Sequence, residues 1–329
     1  MDFLPSVGAF GATDPLFLLL AALAIEAYAG DIIARLPRVP HPRGVMARAA
    51  RALELRLNRP QRARKDLIVR GAVTVLTLAV AAAVVGVLIA WLRNLLHFVW
   101  VVEVFLLIAM VSQRGSGRQA ARVAESLKAE DVTGAREHLR PLAGEMLDPQ
   151  RLDALDARGL ALAALQGLAQ RFTAGVVAPV FWYVLLGLPG VLLQQAVRST
   201  ASVVATGNRP GGGGYTPASE GDFAFPAVRL DAALQWIPDK IAGLLLTFAA
   251  VFIPTTKPLR ALRRLRPGRS WSVAALGGAL TLAARADASI SPVAAPGPRE
   301  LKRALGLFAV GCLINAGIVA AIVLLRQAV

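Results

Sequence analysis

Carboxylates inside apolar runs are the first residues in this chain that could do chemistry. Glu26 and Asp31 sit in the run from Pro15 to about Ala34, and Glu103 sits in the run from Leu95 to Val111. A carboxylate at the centre of a lipid-facing helix costs about 2.5–3.5 kcal/mol on insertion scales, so Glu26 is expected to face protein or a polar cavity. Glu103 has no partner visible in the sequence, which leaves it either a functional acid or a residue paired by the fold. Arg171 and Arg198 flank a further uncharged stretch, where two cations serve either an anion site or a membrane boundary. His41, His97 and His138 are scattered without ligand spacing, and the single cysteine, Cys312, lies in the last apolar run. An intrachain disulfide and a Cys-based metal site are therefore excluded, and no zinc or haem site is indicated.

These residues must be positioned by helices in a membrane. With 329 residues, 56% hydrophobic, and several uncharged runs, the sequence predicts an all-α polytopic membrane protein in a single integral membrane domain, with about 4–6 transmembrane helices. The formal charge of +15 would suggest nucleic acid for a soluble chain. Here the arginines crowd beside apolar spans, so anionic membrane lipids are the expected partner and nucleic acid is not.

The central stretch, Gly175 to Val197, is long enough to cross a hydrocarbon core yet is interrupted by Pro179 and by Gly187, Pro189 and Gly190. A broken or re-entrant segment is predicted, and irregular backbone at membrane depth points to a site because only protein or a water-filled cavity can cover it. The other expected spans are 15–34, 71–92, 95–111, 241–254 and 304–325, with a short turn at Arg93 and Asn94 joining the second and third. If the central stretch and 241–254 are both re-entrant, four crossings remain.

Charge sets the sidedness. The loop 35–70 holds eleven Lys or Arg against two acids and is expected to be cytoplasmic, its part from Arg48 to Arg64 reading as a basic amphipathic helix. The segment 113–171, with nine basic and eight acidic residues, reads as a cytoplasmic helical layer: apolar positions at a spacing of three to four stand on either side of a break near Asp131, and a second helix runs from Leu152 to Leu168. The Gly211 to Gly214 run lacks the Gly-Lys-Ser/Thr of a phosphate loop and reads as a flexible tip. Lys257 to Arg269 carries six cations and no acid, hence is cytoplasmic again, and Trp271 to Ala284 is expected at the interface.

Several motifs fall in one order. Gly30-Asp31, then Pro40-His41-Pro42-Arg43 and Leu53-Glu54, resemble the opening signature of the adenosylcobinamide-phosphate synthases of cobalamin biosynthesis, which are integral membrane proteins of similar length. Gly175-Val176-Val177-Ala178-Pro179-Val180-Phe181-Trp182 with Gly187-Leu188-Pro189-Gly190 is similar to that family's central block, and Leu230-Asp231 with Ile237-Pro238 to a third. The resemblance covers about residues 15–265. It implies a bacterial inner-membrane protein that joins an amino-alcohol phosphate to a corrinoid carboxylate by ATP-dependent amide formation, with Mg²⁺ held by Asp or Glu. Glu26, Asp31 and Asp231 would be the surviving catalytic carboxylates, and His41, Arg43, Arg171, Arg198 and Trp182 the substrate-binding residues.

The family's polar positions are largely replaced. Gln166, Gln170, Arg171 and Ala174 precede the central block where the family is acidic or amide-bearing, and Arg198, Ala201, Ala205 and Thr206 stand after it. In the third block Ala232, Gln235 and Lys240 replace an acid, an asparagine and an arginine, and a Gly-Arg-Asp-Thr element reads Gly144-Glu145-Met146-Leu147. Neutral side chains cannot supply the charge a divalent ion needs. The expected reading is a divergent, ligase-like member with catalysis lost or altered, binding a corrinoid or supporting other cobalamin-biosynthesis proteins; Mg²⁺ and ATP belong only to the alternative in which the ligase is active. A third reading is an inner-membrane sensor or structural protein with no corrinoid role.

Overall fold

Backbone groups surrounded by lipid must bond within their own segment, and every regular element among the described residues is helical. The computed structural model describes residues 14–34, 41–59, 61–96, 98–143, 152–207, 221–266, 270–282 and 296–328. The helices are α1 (Pro15–Ala34), α2 (Pro42–Leu57), α3 (Arg64–Leu95), α4 (Val99–Met110), α5 (Gln113–Lys128), α6 (Val132–Ala143) and α7 (Ala157–Phe172). A π turn (Thr173–Val177) leads into α8 (Ala178–Gly207), followed by α9 (Phe225–Ala249), α10 (Pro258–Arg263), α11 (Trp271–Ala279) and α12 (Pro298–Ala328).

Among the described residues, four stretches are long and apolar enough to cross a membrane: α3, Val99–Lys128 (α4 with α5), Ala157–Ala205 (α7 through α8) and α12, with Pro15–Tyr28 as a shorter apolar helix. The chain is an all-α polytopic membrane protein. In the most apolar window of α3 only 22% is buried, so this helix turns most of its surface outward. The turn between α3 and α4 falls after Leu95, slightly later than Arg93 and Asn94. Pro238, expected to bound a short span, instead lies inside α9, so residues 241–249 continue a longer helix. Residues 144–147 and 211–214 lie outside the described residues.

The central stretch breaks in a different manner at each of its two interruptions. Pro179 has no N–H to give to Gly175 O, four residues back. The ladder widens there, with Ala178 N bonding to Thr173 O across the π turn, and Gly175 O instead accepts Ser112 N at 2.9 Å. The helix direction survives. At Gly187 it does not: φ 67°, ψ −156° is a conformation open to glycine and costly for any other residue. The chain doubles back, so that a Cβ on Gly190 would lie 2.7 Å from Trp182 O. In a straight helix those residues are about 12 Å apart. The first limb of α8 ends at this turn, and the second starts with Pro189 in its opening turn, where the missing N–H is harmless.

The second limb packs antiparallel to both α3 and α9. Val197, Ala201 and Val204 meet Val75 and Ala79 of α3 and Phe223, Ala224, Ala227 and Val228 at the start of α9. Pro189 presses so closely on α3 that a Cβ on Gly86 would lie 2.5 Å from its Cα. A second core joins α1, α4, the tip of α8 and Val319 of α12. The third and largest joins α5, α6 and α7 with the later part of α9, with α11 and with the start of α12. The break near Asp131 falls between α5 and α6, where Asp131 Oδ1 accepts Gly134 N. Residues Ser272 to Ala279 of α11 are buried but for Ala274, and Trp271 Cβ sits 2.6 Å from a Cβ built on Gly243 of α9. Helix α2 packs one face on α3 and α8 and leaves Val45 and Leu55 outward.

Candidate functional site

Two polar centres collect the residues singled out above. The first lies where α4 gives way to α5. Glu26 is 4% exposed, and its carboxylate accepts Gln113 N (3.0 Å) and Arg114 N (3.2 Å), the unpaired donors at the start of α5. Arg43 Nη2 donates to Met110 O at the end of α4. His41 caps α2 by accepting Arg43 N on Nδ1 at 3.3 Å, and burial with the Arg43 charge lowers its pKa from the ordinary value, which favours the neutral ring that can accept. Ser112 N on Gly175 O binds the α4–α5 junction to the central block. Every polar group named here is engaged in ending one helix and starting another.

Glu103 belongs to a related tie. It is 2% exposed and accepts Arg93 Nη1 (2.8 Å) and the Tyr183 hydroxyl (2.6 Å), joining α3 and α4 to the first limb of α8. A charged pair with a second hydrogen bond is what makes a buried carboxylate tolerable. Arg171 donates Nη2 to Pro141 O at the end of α6. Trp182 donates its indole N–H to Leu234 O (3.3 Å), the carbonyl that Pro238, four residues on, cannot bond. These arrangements position helices. The Asp31 side chain lies outside the described residues.

The second centre is different in kind. Arg198 Nη1 stands 3.6 Å from Asp231 Oδ2, bridging the second limb of α8 and α9. The antiparallel register that pairs 198 with 231 sets Gln194 opposite Gln235, each one turn away on the same helix face. Gln194 is fully buried, and neither its amide oxygen nor its nitrogen has a hydrogen-bond partner; the same holds for both amide atoms of Gln235. Leaving such a group unmet costs about 1–3 kcal/mol, so the site calls for a partner that the described residues do not provide.

The comparisons follow from these motifs. The family model described as "CobD/Cbib protein" matches residues 19–289. The chain belongs to the CobD/CbiB family. It is 28% identical over 279 residues to the "Cobalamin biosynthesis protein CobD" of Rhizobium meliloti (strain 1021), covering 82% of this chain and 81% of that one. It is similarly related to the proteins of the same description from Sinorhizobium sp. (28% over 284 residues, 81% of each) and Rhodobacter capsulatus (27% over 284 residues, 80% of each). No solved structure matches.

The resemblance to the CobD/CbiB family implies Mg²⁺ held by Asp or Glu. The ion does not fit the described residues: the Arg198 cation stands beside Asp231, Glu26 is bonded to the start of α5, and no three His, Cys, Asp or Glu side chains come together. Sequence reasoning missed Arg93 and Tyr183 as partners of Glu103, and it missed Asp239. That carboxylate accepts Trp271 N (2.7 Å), Ser272 N (3.2 Å), Ser272 Oγ (2.7 Å), Ser270 Oγ (3.1 Å) and Thr173 Oγ1 (3.3 Å), fastening α11 and the π turn to α9. The Ser-Trp-Ser start of α11 was the available signal. Gln194 was legible only as an amide inside an uncharged run.

Proposed function

We propose that this CobD/CbiB-family protein serves cobalamin biosynthesis in the bacterial inner membrane by holding a corrinoid between α8 and α9, as an accessory to an active partner, without forming the amide bond itself. The observation that carries this reading is the pair of buried, unpartnered amides, Gln194 and Gln235, beside the Arg198–Asp231 ion pair. A corrinoid's rim bears primary amides and carboxylates. A glutamine amide offers both a donor and an acceptor to such groups, and a guanidinium can bind a carboxylate. The same centre is poorly equipped for phosphoryl chemistry, since the Arg198 cation stands beside Asp231 and no group of three His, Cys, Asp or Glu forms among the described residues.

Complementation tests the loss of catalysis. The chain and its Asp231→Ala variant are expressed in a synthase-deletion strain, with membrane insertion confirmed, and growth is scored without added cobinamide. No growth with either is expected. Growth that depends on Asp231 would overturn the reading and restore an active ligase.

A further inference from the structure

The chain from Ala250 to Arg266 holds apolar side chains outward on a braced backbone. The turn after α9 is closed by Thr256, whose hydroxyl donates to Ala250 O (2.6 Å) and Ile253 O (2.9 Å). Helix α10 is fixed from beneath. Lys257 N bonds Ala279 O at 3.0 Å, and the fully buried Ala261 has its Cα 2.7 Å from a Cβ built on Gly278. With Ala261 turned inward, Leu259 and Leu262 stand 71% and 51% exposed, interleaved with the exposed Arg260 and Arg263. They continue the outward stripe formed by Leu244 and Phe248 of α9 and by Val251 and Phe252 in the turn after it, all exposed.

Charge is one-sided here. Lys257, Arg260, Arg263, Arg264 and Arg266 crowd this tip, and the sequence has no Asp or Glu between Asp239 and Asp287. Burial and the neighbouring Arg260 charge lower the pKa of the Arg264 guanidinium. We propose that α10 and the turn before it form an interfacial anchor seated on anionic phospholipid, with Phe252, Leu259 and Leu262 at the acyl boundary and the arginines on phosphate. Continuity with the outward stripe of a membrane helix favours a lipid surface over an acidic protein segment. Interleaved leucine and arginine on one short helix fit the depth at which chains end and headgroups begin. This inference does not depend on the corrinoid reading.

The test uses the full-length protein in nanodiscs. Cys312 is buried, so Leu262→Cys gives one reactive thiol for an environment-sensitive fluorophore, and Leu88→Cys on the outward face of α3 serves as the depth control. In phosphatidylcholine containing phosphatidylglycerol, the 262 probe is expected to emit to the blue and to be quenched by lipids labelled at the headgroup end of the chain. More than about half of that shift is expected to vanish in pure phosphatidylcholine and in an Arg260→Gln/Arg263→Gln/Arg264→Gln variant. Emission like that of a water-exposed probe in both lipids overturns the anchor. So does a blue shift indifferent to lipid charge and to the arginines, or one that disappears on dilution of the protein among nanodiscs, which would reveal a protein occupant.

Discussion

Replacing Gln194 by methionine is predicted to raise the stability of the ligand-free protein while weakening its hold on a corrinoid. Gln194 is fully buried with both amide atoms unbonded, and methionine has nearly the same length and volume without polar atoms. Removing an unmet polar group of this kind returns about 1–3 kcal/mol, a rise in midpoint of a few degrees. Binding should move the other way: one or two lost hydrogen bonds at about 0.5–1.5 kcal/mol each weaken affinity by roughly tenfold. Thermal unfolding in detergent gives the first quantity, and titration with dicyanocobinamide followed by the protein's fluorescence gives the second. A Gln194→Met protein that is less stable by about 1 kcal/mol or more would show that the amide is already bonded in the free protein. Unchanged corrinoid affinity would remove Gln194 from the site.

Four further outcomes are expected. Gly86→Ala sets a methyl against the backbone of Pro189, with no flexible side chain able to yield, and should cost about 1–3 kcal/mol by thermal unfolding. Arg93→Met strands the buried Glu103 carboxylate and should destabilise by about 3–5 kcal/mol, with Arg93→Met/Glu103→Gln recovering a large part; an equal loss in both would refute the ion pair as the tie. Asp239→Asn removes the charge that receives two backbone N–H groups at the start of α11, so protease sensitivity should rise at the α11 end of α9 before global unfolding. The folded-state pKa of His41 lies below its ordinary 6.5, so its contribution is present above that value and is lost as pH falls through the lower folded value; this step in stability should be absent in His41→Asn, which still caps.

Much of this was readable from residues alone. Apolar runs located the helices, the spacing around Asp131 separated α5 from α6, and Gly187 with Pro189 and Gly190 marked the place where α8 turns back. What escaped the sequence was pairing at a distance. Tyr183 is eighty residues from Glu103, and no local pattern announces that one will bond the other. Gln194 and Gln235 become a site only through a register set by apolar packing of α8 on α9. The helix neighbours of α2 and α11 also escaped the sequence, since a basic or short apolar helix has the same composition whether it lies against headgroups or against other helices. Asp239 was passed over because its partners sit thirty residues on and in the π turn.

Two prolines inside the helices act as connectors. Pro179 releases the carbonyl of Gly175 to Ser112, and Pro238 releases that of Leu234 to Trp182. Each missing N–H turns a bond that would have served one helix into a bond between two. Alanine at either position would therefore offer the old acceptor a rival donor from within its own helix, and the gain in local regularity would come at the expense of the joints that hold α5 and α9 to the folded-back centre. At these two points a more regular helix would make a looser protein.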